Sequence, residues 1–385
     1  MRLTLQTALL VAWAVLFTAA GLHTELEFIA RKPLPNSLLQ DFNFYRDALH
    51  ALTDGNDPYS DRGIGTGFLY PPPALFLIAL LEPFDSLWRA SLITSLSLAG
   101  LGVMLAGVAL CYGLRPSQVW WWFPLGFAFA PVLETLHLGQ VNLLVAFGVF
   151  VMFAFAVRRP VLAGVGLAAA ICLKVTPILF FIYLIVARRF LALVVAIATI
   201  AGFGTAFGIV FGFEHAVTYI DVFRDLSQKN LAGNGNAQSI SAILVYHGAI
   251  EASTQTLVQR VIDSCLALAI VAVSLLTYSR GRSDGLFVVI GLSLVPLANI
   301  SWYHHYAFLL LPLCVWMASL KLHPFVVVWV LAGMTAIQFD RSGLTHGLLA
   351  QFFILATVGL VLIAELVPPD RWALGAPRGA STNGT

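Results

Sequence analysis

Three stretches of this chain hold residue types that could do chemistry. The first is a polar island between apolar segments, running from Asp41-Phe42-Asn43-Phe44-Tyr45 through Asp57-Pro58-Tyr59 to Tyr70-Pro71-Pro72-Pro73. The second is Lys174, the one lysine well inside an apolar run, and the third is Ser301-Trp302-Tyr303-His304-His305-Tyr306. A carboxylate at a bilayer surface can take a proton from a hydroxyl, and lysine or histidine can steady an anion as its charge develops. An ionised lysine near a bilayer centre costs about 2.5–3.5 kcal/mol on insertion scales, so Lys174 is a functional candidate; a lysine at a short helix end that snorkels to water is the even alternative.

The elements that position these residues are membrane helices. The chain has 385 residues, 59% hydrophobic and 10% charged, with mean hydropathy +0.88, against about 25% charged in soluble domains. It reads as an all-α polytopic membrane protein of about 12 transmembrane helices, one domain over residues 1–367, with a disordered cytoplasmic tail over 368–385. A net charge of +2 with scattered basic residues excludes a nucleic-acid surface. Cys111, Cys172, Cys265 and Cys314 lie in apolar segments without metal-like spacing and read as buried thiols. Residues 3–22 follow Arg2 as in a secretory signal, but the many later spans favour a retained first helix and a cytoplasmic N-terminus.

Positive charge sets the orientation. Arg158-Arg159, Arg188-Arg189, Arg280 with Arg282, Lys321 and Arg371 are assigned to the inside. That places the loop at 23–69, His137-Leu138-Gly139-Gln140-Val141-Asn142, the loop at 213–252 and the Ser301–Tyr306 segment on one outer face. The parity requires that Tyr70 to Phe84, short and led by three prolines, form a short re-entrant helix. Residues 160–187 likewise make an out-and-back excursion as two short helices meeting at Lys174-Val175-Thr176-Pro177.

Leu38, Phe42, Tyr45, Leu49 and Leu52 make one helical stripe between Asn36-Ser37 and Asp54-Gly55, predicting an amphipathic helix on the membrane surface. At about 100° per residue Asp41 lies roughly 60° from the stripe centre, while Asp47 faces solvent. Taken alone, Asp41 is more simply an early-turn acid favoured by the helix dipole. Asp54, Asp57 and Asp61 suit turns. Glu134 and His137, one turn apart, are either a structural pair or part of a site. Adjacent histidines on a helix cannot face the same way, so at most one of His304 and His305 points into a cavity, and interfacial residues are an equal reading. No metal motif is present.

These stretches together resemble glycosyltransferase family 87, polytopic enzymes of GT-C fold that use polyprenyl-phosphate sugars and include mycobacterial α-mannosyltransferases. The resemblance is carried by Asp41-Phe42-x-x-Tyr45, Asp57-Pro58-Tyr59, Phe68-Leu69-Tyr70-Pro71-Pro72, Leu138-Gly139-Gln140-Val141-Asn142-Leu143-Leu144, Arg159-Pro160 through Lys174-x-Thr176-Pro177, and Ser301-Trp302-x-His304-His305. No single stretch is specific; the ordered set is. One departure is Asn236-Ala237-Gln238-Ser239, where the family pattern resembles Asn-Gln-Ser.

The resemblance implies an inverting transfer of mannose from polyprenyl-phosphate mannose to a glycolipid or polysaccharide, outside the cytoplasmic membrane. Asp41 would be the general base; Lys174, His304, His305, Tyr70, Gln140 and Asn142 would contact donor phosphate or sugar; Asn236, Gln238 and Ser239 would contact the acceptor. No metal or other cofactor is obligatory in this reading. Arabinofuranosyl transfer from polyprenyl-phosphate arabinose is the alternative within the class. A lipid-linked sugar flippase is the alternative outside it, although the related halves expected of a transporter are not seen. A non-catalytic scaffold is a third.

Overall fold

Apolar runs free of proline become long helices, and proline, glycine or lysine marks the breaks between them. The computed structural model describes residues 2–31, 39–61, 67–81, 83–84, 86–228, 237–281, 283–298, 301–340 and 347–367; the expected tail at 368–385 and Asn236 lie outside them. The chain opens with α1 (Arg2–Arg31), α2 (Gln40–Thr53), α3 (Ala74–Leu81) and α4 (Ser86–Cys111), then three short helices, α5 (Pro116–Val119), α6 (Trp122–Phe127) and α7 (Ala130–Leu138). The centre holds α8 (Asn142–Phe155), α9 (Pro160–Leu173), α10 (Phe180–Val186), α11 (Phe190–Phe211) and α12 (Glu214–Gln228). It closes with α13 (Ile240–Tyr246), α14 (Gln255–Arg280), α15 (Asp284–Ser293), a 3₁₀ segment (Tyr303–Leu309), α16 (Leu310–Ser319), α17 (Pro324–Asp340) and α18 (Leu348–Leu366).

No strand occurs among the described residues. Five described helices are long and apolar enough to cross a membrane, or six if the bent pair α7–α8 counts as one crossing. The protein is therefore a helical membrane protein. Other apolar helices, among them α9, α15 and α17, are shorter than a full span. Cys172 and Cys314 are buried as expected, but Cys111 and Cys265 are exposed, because each sits on the outward face of a long helix where apolar surface meets lipid rather than protein.

The polar segments meet at one end of the bundle. The Leu39 amide donates to the His137 carbonyl at 2.9 Å and the Gln238 amide to the Ser301 carbonyl at 2.7 Å, while His215 lies 3.6 Å from Asp57. Basic residues gather at the other: Lys321 donates to the Tyr112 carbonyl, and Arg188 stacks over Tyr278.

Small residues bring α9 against its neighbours. A side chain at Gly148 of α8 would strike the Gly166 carbonyl at 2.6 Å, and one at Gly164 would meet the Ala192 carbonyl of α11 at 2.5 Å. Such close backbone approach is the usual basis of helix association in lipid. It holds the end of α9, and so Lys174, in place.

Helix α7 has a different anchor. Its first N–H groups have no intrahelical acceptor. Gln338 of α17, fully buried, accepts the Ala130 N–H at 2.8 Å and donates to the carbonyls of Phe17 at 3.1 Å and Ala128 at 2.8 Å. Gly21 leaves the room, since a side chain there would run into the Ala128 carbonyl and the Gln338 amide. Replacing Gln338 with leucine keeps the volume but strands backbone groups at about 1–3 kcal/mol each. The thermal unfolding midpoint of Gln338→Leu in detergent should fall clearly below the parent's; an unchanged midpoint would mean that other groups take over these bonds.

Candidate active site

Helix α7 ends in a Schellman cap: Gly139 adopts φ 69°, ψ 31°, its N–H reaches the Leu136 carbonyl, and the Gln140 N–H reaches the Thr135 carbonyl. This cap favours glycine because it needs left-handed backbone. The chain turns there by 115° into α8, which presents Gln140 and Asn142 at the bend. The start of α2 lies against the same cap, and a side chain on Gly139 would come within 2.8 Å of Leu39 Cδ2 and 3.0 Å of Phe42 Cβ. Leu39 is itself left-handed, at φ 56°, an arrangement costing a non-glycine residue roughly 1–2 kcal/mol. The contact brings the first turn of α2, and with it Asp41, against Gln140.

Gln140 is buried and bridges two groups. The Tyr70 hydroxyl donates to its Oε1 at 2.8 Å, and its Nε2 donates to Asp41 Oδ2. Burial, reinforced by the Asp41 carboxylate, pushes the Tyr70 phenol well above its usual range. A carboxylate accepts, so the amide NH₂ faces Asp41 and the amide oxygen is left to take the Tyr70 hydroxyl.

Tyr70 is held by aromatic packing. Its ring stacks on Tyr45 with centroids 4.5 Å apart, and its carbonyl accepts from the Tyr59 hydroxyl at 2.9 Å. Tyr59 in turn sits on an Asx turn closed by Asp57, as the sequence suggests for that aspartate. The apolar stripe of α2, Phe42, Tyr45, Leu49 and Leu52, is buried. It is covered by the chain itself, largely by α3 and the segment before it, and not by lipid as an isolated surface helix would be; Leu38 lies outside the described residues. Asp47 is exposed beside Arg46.

Lys174 interrupts the helix between α9 and a 3₁₀ turn (Thr176–Leu179) in extended conformation. The sequence predicts this break because Pro177 cannot donate a helical hydrogen bond. Its Nζ donates to Asn142 Oδ1 at 3.0 Å and lies 2.8 Å from His305 Nε2. It also stands 5.9 Å from the Tyr70 ring centre and 5.3 Å from that of Phe308. Two nitrogens at 2.8 Å share one hydrogen, so Lys174 and His305 are not both in their protonated forms.

Asp41, Tyr70, Gln140, Asn142, Lys174 and His305 thus form one constellation. His304 does not join it: its ring turns 85° from that of His305 and lies 3.6 Å from Glu134. Its main-chain oxygen faces Asn142 Nδ2 at 3.4 Å. Gln238 and Ser239 are buried in an adjoining network, where Gln238 Oε1 accepts from the Tyr306 hydroxyl and its carbonyl accepts from Gln351. Glu134 and His137 approach His304 and Glu25, respectively. No group of three or more metal-ligating side chains occurs among the described residues.

Sequence reasoning missed Tyr45 as a support of Tyr70 and Phe308 as a neighbour of Lys174. Tyr45 carried a usable signal, since it stands four residues after Asp41 and one helical turn along the same side. Phe308 carried none in the residues next to it. Chemically, the arrangement sets an acceptor of protons beside a pair of nitrogens able to hold an anion, with Tyr70 between them.

The family model of glycosyltransferase family 87 matches residues 68–299, more than half of the chain. The chain is 29% identical over 323 residues to the polyprenol-phosphate-mannose-dependent alpha-(1-2)-phosphatidylinositol pentamannoside mannosyltransferase of Mycolicibacterium smegmatis, covering 80% of this chain and 71% of that protein. Against the like-named protein of Mycobacterium tuberculosis it is 27% identical over 266 residues, 66% of this chain and 54% of that one. No solved structure matches the chain. With apolar helices suited to the bilayer and a family match over its centre, the chain belongs to glycosyltransferase family 87 and is a membrane glycosyltransferase.

Proposed function

We propose that the protein moves a mannosyl residue from polyprenyl-phosphate mannose to a lipid-linked acceptor, with inversion, on the outer face of the cytoplasmic membrane. Residues 1–367 act as one domain of GT-C fold with about 12 crossings, the shorter apolar helices completing spans that length alone does not assign. The observation that carries the reading is the Asp41–Gln140–Tyr70 chain standing beside the Lys174–His305–Asn142 group. The outward orientation is supported by the basic residues at the opposite end of the bundle.

In this reaction Asp41 takes the proton of the acceptor hydroxyl, whose oxygen attacks the anomeric carbon. The bond from that carbon to the phosphate oxygen breaks on the opposite face, and its electron pair stays with the phosphate. A phosphate monoester has a second pKa near 6, so the leaving group needs charge support rather than a strong acid. Lys174 and His305 supply it, with Asn142 orienting the lysine. One carboxylate suffices because no glycosyl-enzyme intermediate forms, in contrast to retaining glycosidases. Gln238 and Ser239 lie on the acceptor side. The names of both relatives favour mannose over arabinose as the sugar and a phosphatidylinositol-type glycolipid as the acceptor.

Purified protein in detergent should transfer radiolabelled mannose from polyprenyl-phosphate mannose to a membrane glycolipid extract, and Asp41→Asn should lose at least about 100-fold in kcat, the lower end for a general base. Transfer in detergent needs no sealed compartment, so it also separates an enzyme from a flippase. Equal rates for parent and variant, with equal folding, would remove Asp41 from the base role.

The amide bridge gives a second expectation. Gln140→Glu puts a like charge against Asp41, which disfavours the ionised carboxylate. The base would then stay protonated to higher pH, and the acid limb of the kcat profile should move upward. An unmoved acid limb would show that Gln140 does not govern the charge state of the base.

A further inference from the structure

Helix α12 divides its circumference three ways. At about 100° per residue, His215, Tyr219, Val222 and Leu226 share one side, which faces protein. Val222 is buried, the Tyr219 ring lies 5.8 Å from that of Tyr59, His215 stands 3.6 Å from Asp57, and Leu226 packs on the core. A second side carries Glu214, Asp221 and Asp225, with Asp221 paired to Arg224 at 3.3 Å. The third is apolar and uncovered: Val217, Ile220 and Phe223, with Phe213 at the turn before the helix, are 49–62% exposed. A contiguous apolar strip of this kind marks a protein or membrane contact.

The place where α12 begins decides between them. Helix α11 is long and apolar enough to cross the bilayer, and its Val194, Ile197, Ile209 and Val210 are exposed as lipid-facing side chains are. Gly212, at φ 106°, turns the chain straight from α11 into α12, a backbone shape that favours glycine. Phe213 folds back over Gly208, where a side chain would strike its ring. The strip on α12 is therefore continuous with the lipid-facing surface of α11 and starts where that crossing ends. A helix with separate apolar and charged sides at that level lies in the plane of the interface. Its charged side holds three acids against Arg224, so insertion of the apolar strip, not attraction to anionic headgroups, is what seats it.

The protein-facing side leads to the site. Tyr219 packs on Tyr59, the Tyr59 hydroxyl donates to the Tyr70 carbonyl, and Tyr70 donates to the Gln140 amide that holds Asp41. We propose that α12 docks into the outer leaflet of the phospholipid bilayer through Val217, Ile220 and Phe223, and that this seat braces Tyr59 and Tyr70 beside Asp41. The bilayer is thus a structural partner of the site, and the strip residues are positioning residues that touch no reacting atom. The effect on activity rests on the transfer reaction above; the seat itself does not.

Two measurements test this. With Cys111→Ala and Cys265→Ala leaving only the buried thiols, a fluorophore is attached to Val217→Cys or to Asp221→Cys in the full chain, reconstituted in phosphatidylcholine vesicles. Phosphatidylcholine brominated high in its acyl chains should quench the label at 217 and spare the label at 221. Equal quenching at both positions, none at 217, or quenching that requires added phosphatidylglycerol overturns the seat; none at 217 together with a cross-linked dimer assigns the strip to a second copy of the chain. The second measurement is mannose transfer in phosphatidylcholine nanodiscs. Ile220→Asp should lower kcat roughly tenfold, since an ångström of misplacement can cost about 100-fold, with donor KM little changed; Ile220→Leu and Asp221→Asn should match the parent. An Ile220→Asp variant as active as the parent, or an Ile220→Leu variant as impaired as Ile220→Asp, overturns the brace. If Ile220→Asp does not fold, Ile220→Ser is read in the same way. A parent that transfers no mannose counts against the donor assignment, and the quenching pair then decides the seat alone.

Discussion

Irregular backbone inside a membrane bundle persists only where something satisfies the polar groups it frees, and here three breaks fall side by side. They lie after Leu138, at Lys174 and before Tyr303. Asn142 at the head of α8 ties the three together by facing both Lys174 and the His304 carbonyl, while the His137 carbonyl accepts the Leu39 amide from the start of α2 and the Trp302 N–H donates to His305 within its own turn. Were any one of these segments a continuous helix, its partners would lose their acceptors or donors. The site is thus assembled by the need to satisfy broken helices, and the polar side chains come with the breaks.

Much of this was legible in the sequence because it is local. Pro177 announces the break at Lys174, the heptad-like spacing from Phe42 to Leu52 announces α2, and the arginine pairs announce which segments share an end. The stripe of α2 shows where a sequence period stops being informative: it identifies a face to be covered but not the covering, which is protein here. The choice between His304 and His305 was likewise illegible, since a 3₁₀ turn sends adjacent rings roughly a right angle apart and only the distant partners, Glu134 and Lys174, tell them apart. Gln338 reads as one more residue of an apolar helix, and its bonds reach Phe17, Ala128 and Ala130, contacts no local pattern encodes.

The orientation of the Gln140 amide follows the same logic at atomic scale. A carboxylate accepts rather than donates, so Asp41 draws the amide NH₂ and leaves the amide oxygen to the Tyr70 hydroxyl. The stacking of Tyr45 and the hydroxyl of Tyr59 hold Tyr70. Through that ring, the aromatic packing of α2 and the loop after it bears on where the Gln140 amide, and with it the Asp41 carboxylate, is held. Conservative-looking changes in this packing therefore reach the site through its hydrogen bonds as well as its shape.

The separation of Asp41 from Lys174 has a chemical logic under the proposed mechanism. A direct ion pair would satisfy both charges with each other, and the substrates would have to break it before either group could act. Among the described residues Asp41 instead takes its hydrogen bond from Gln140, while Lys174 turns to Asn142 and His305. Tyr70 stands between, its hydroxyl serving one side and its ring face lying toward the ammonium on the other. An inverting displacement needs its base and its leaving-group support on opposite faces of one sugar carbon, and two charges kept apart by a neutral aromatic residue leave room for that carbon between them.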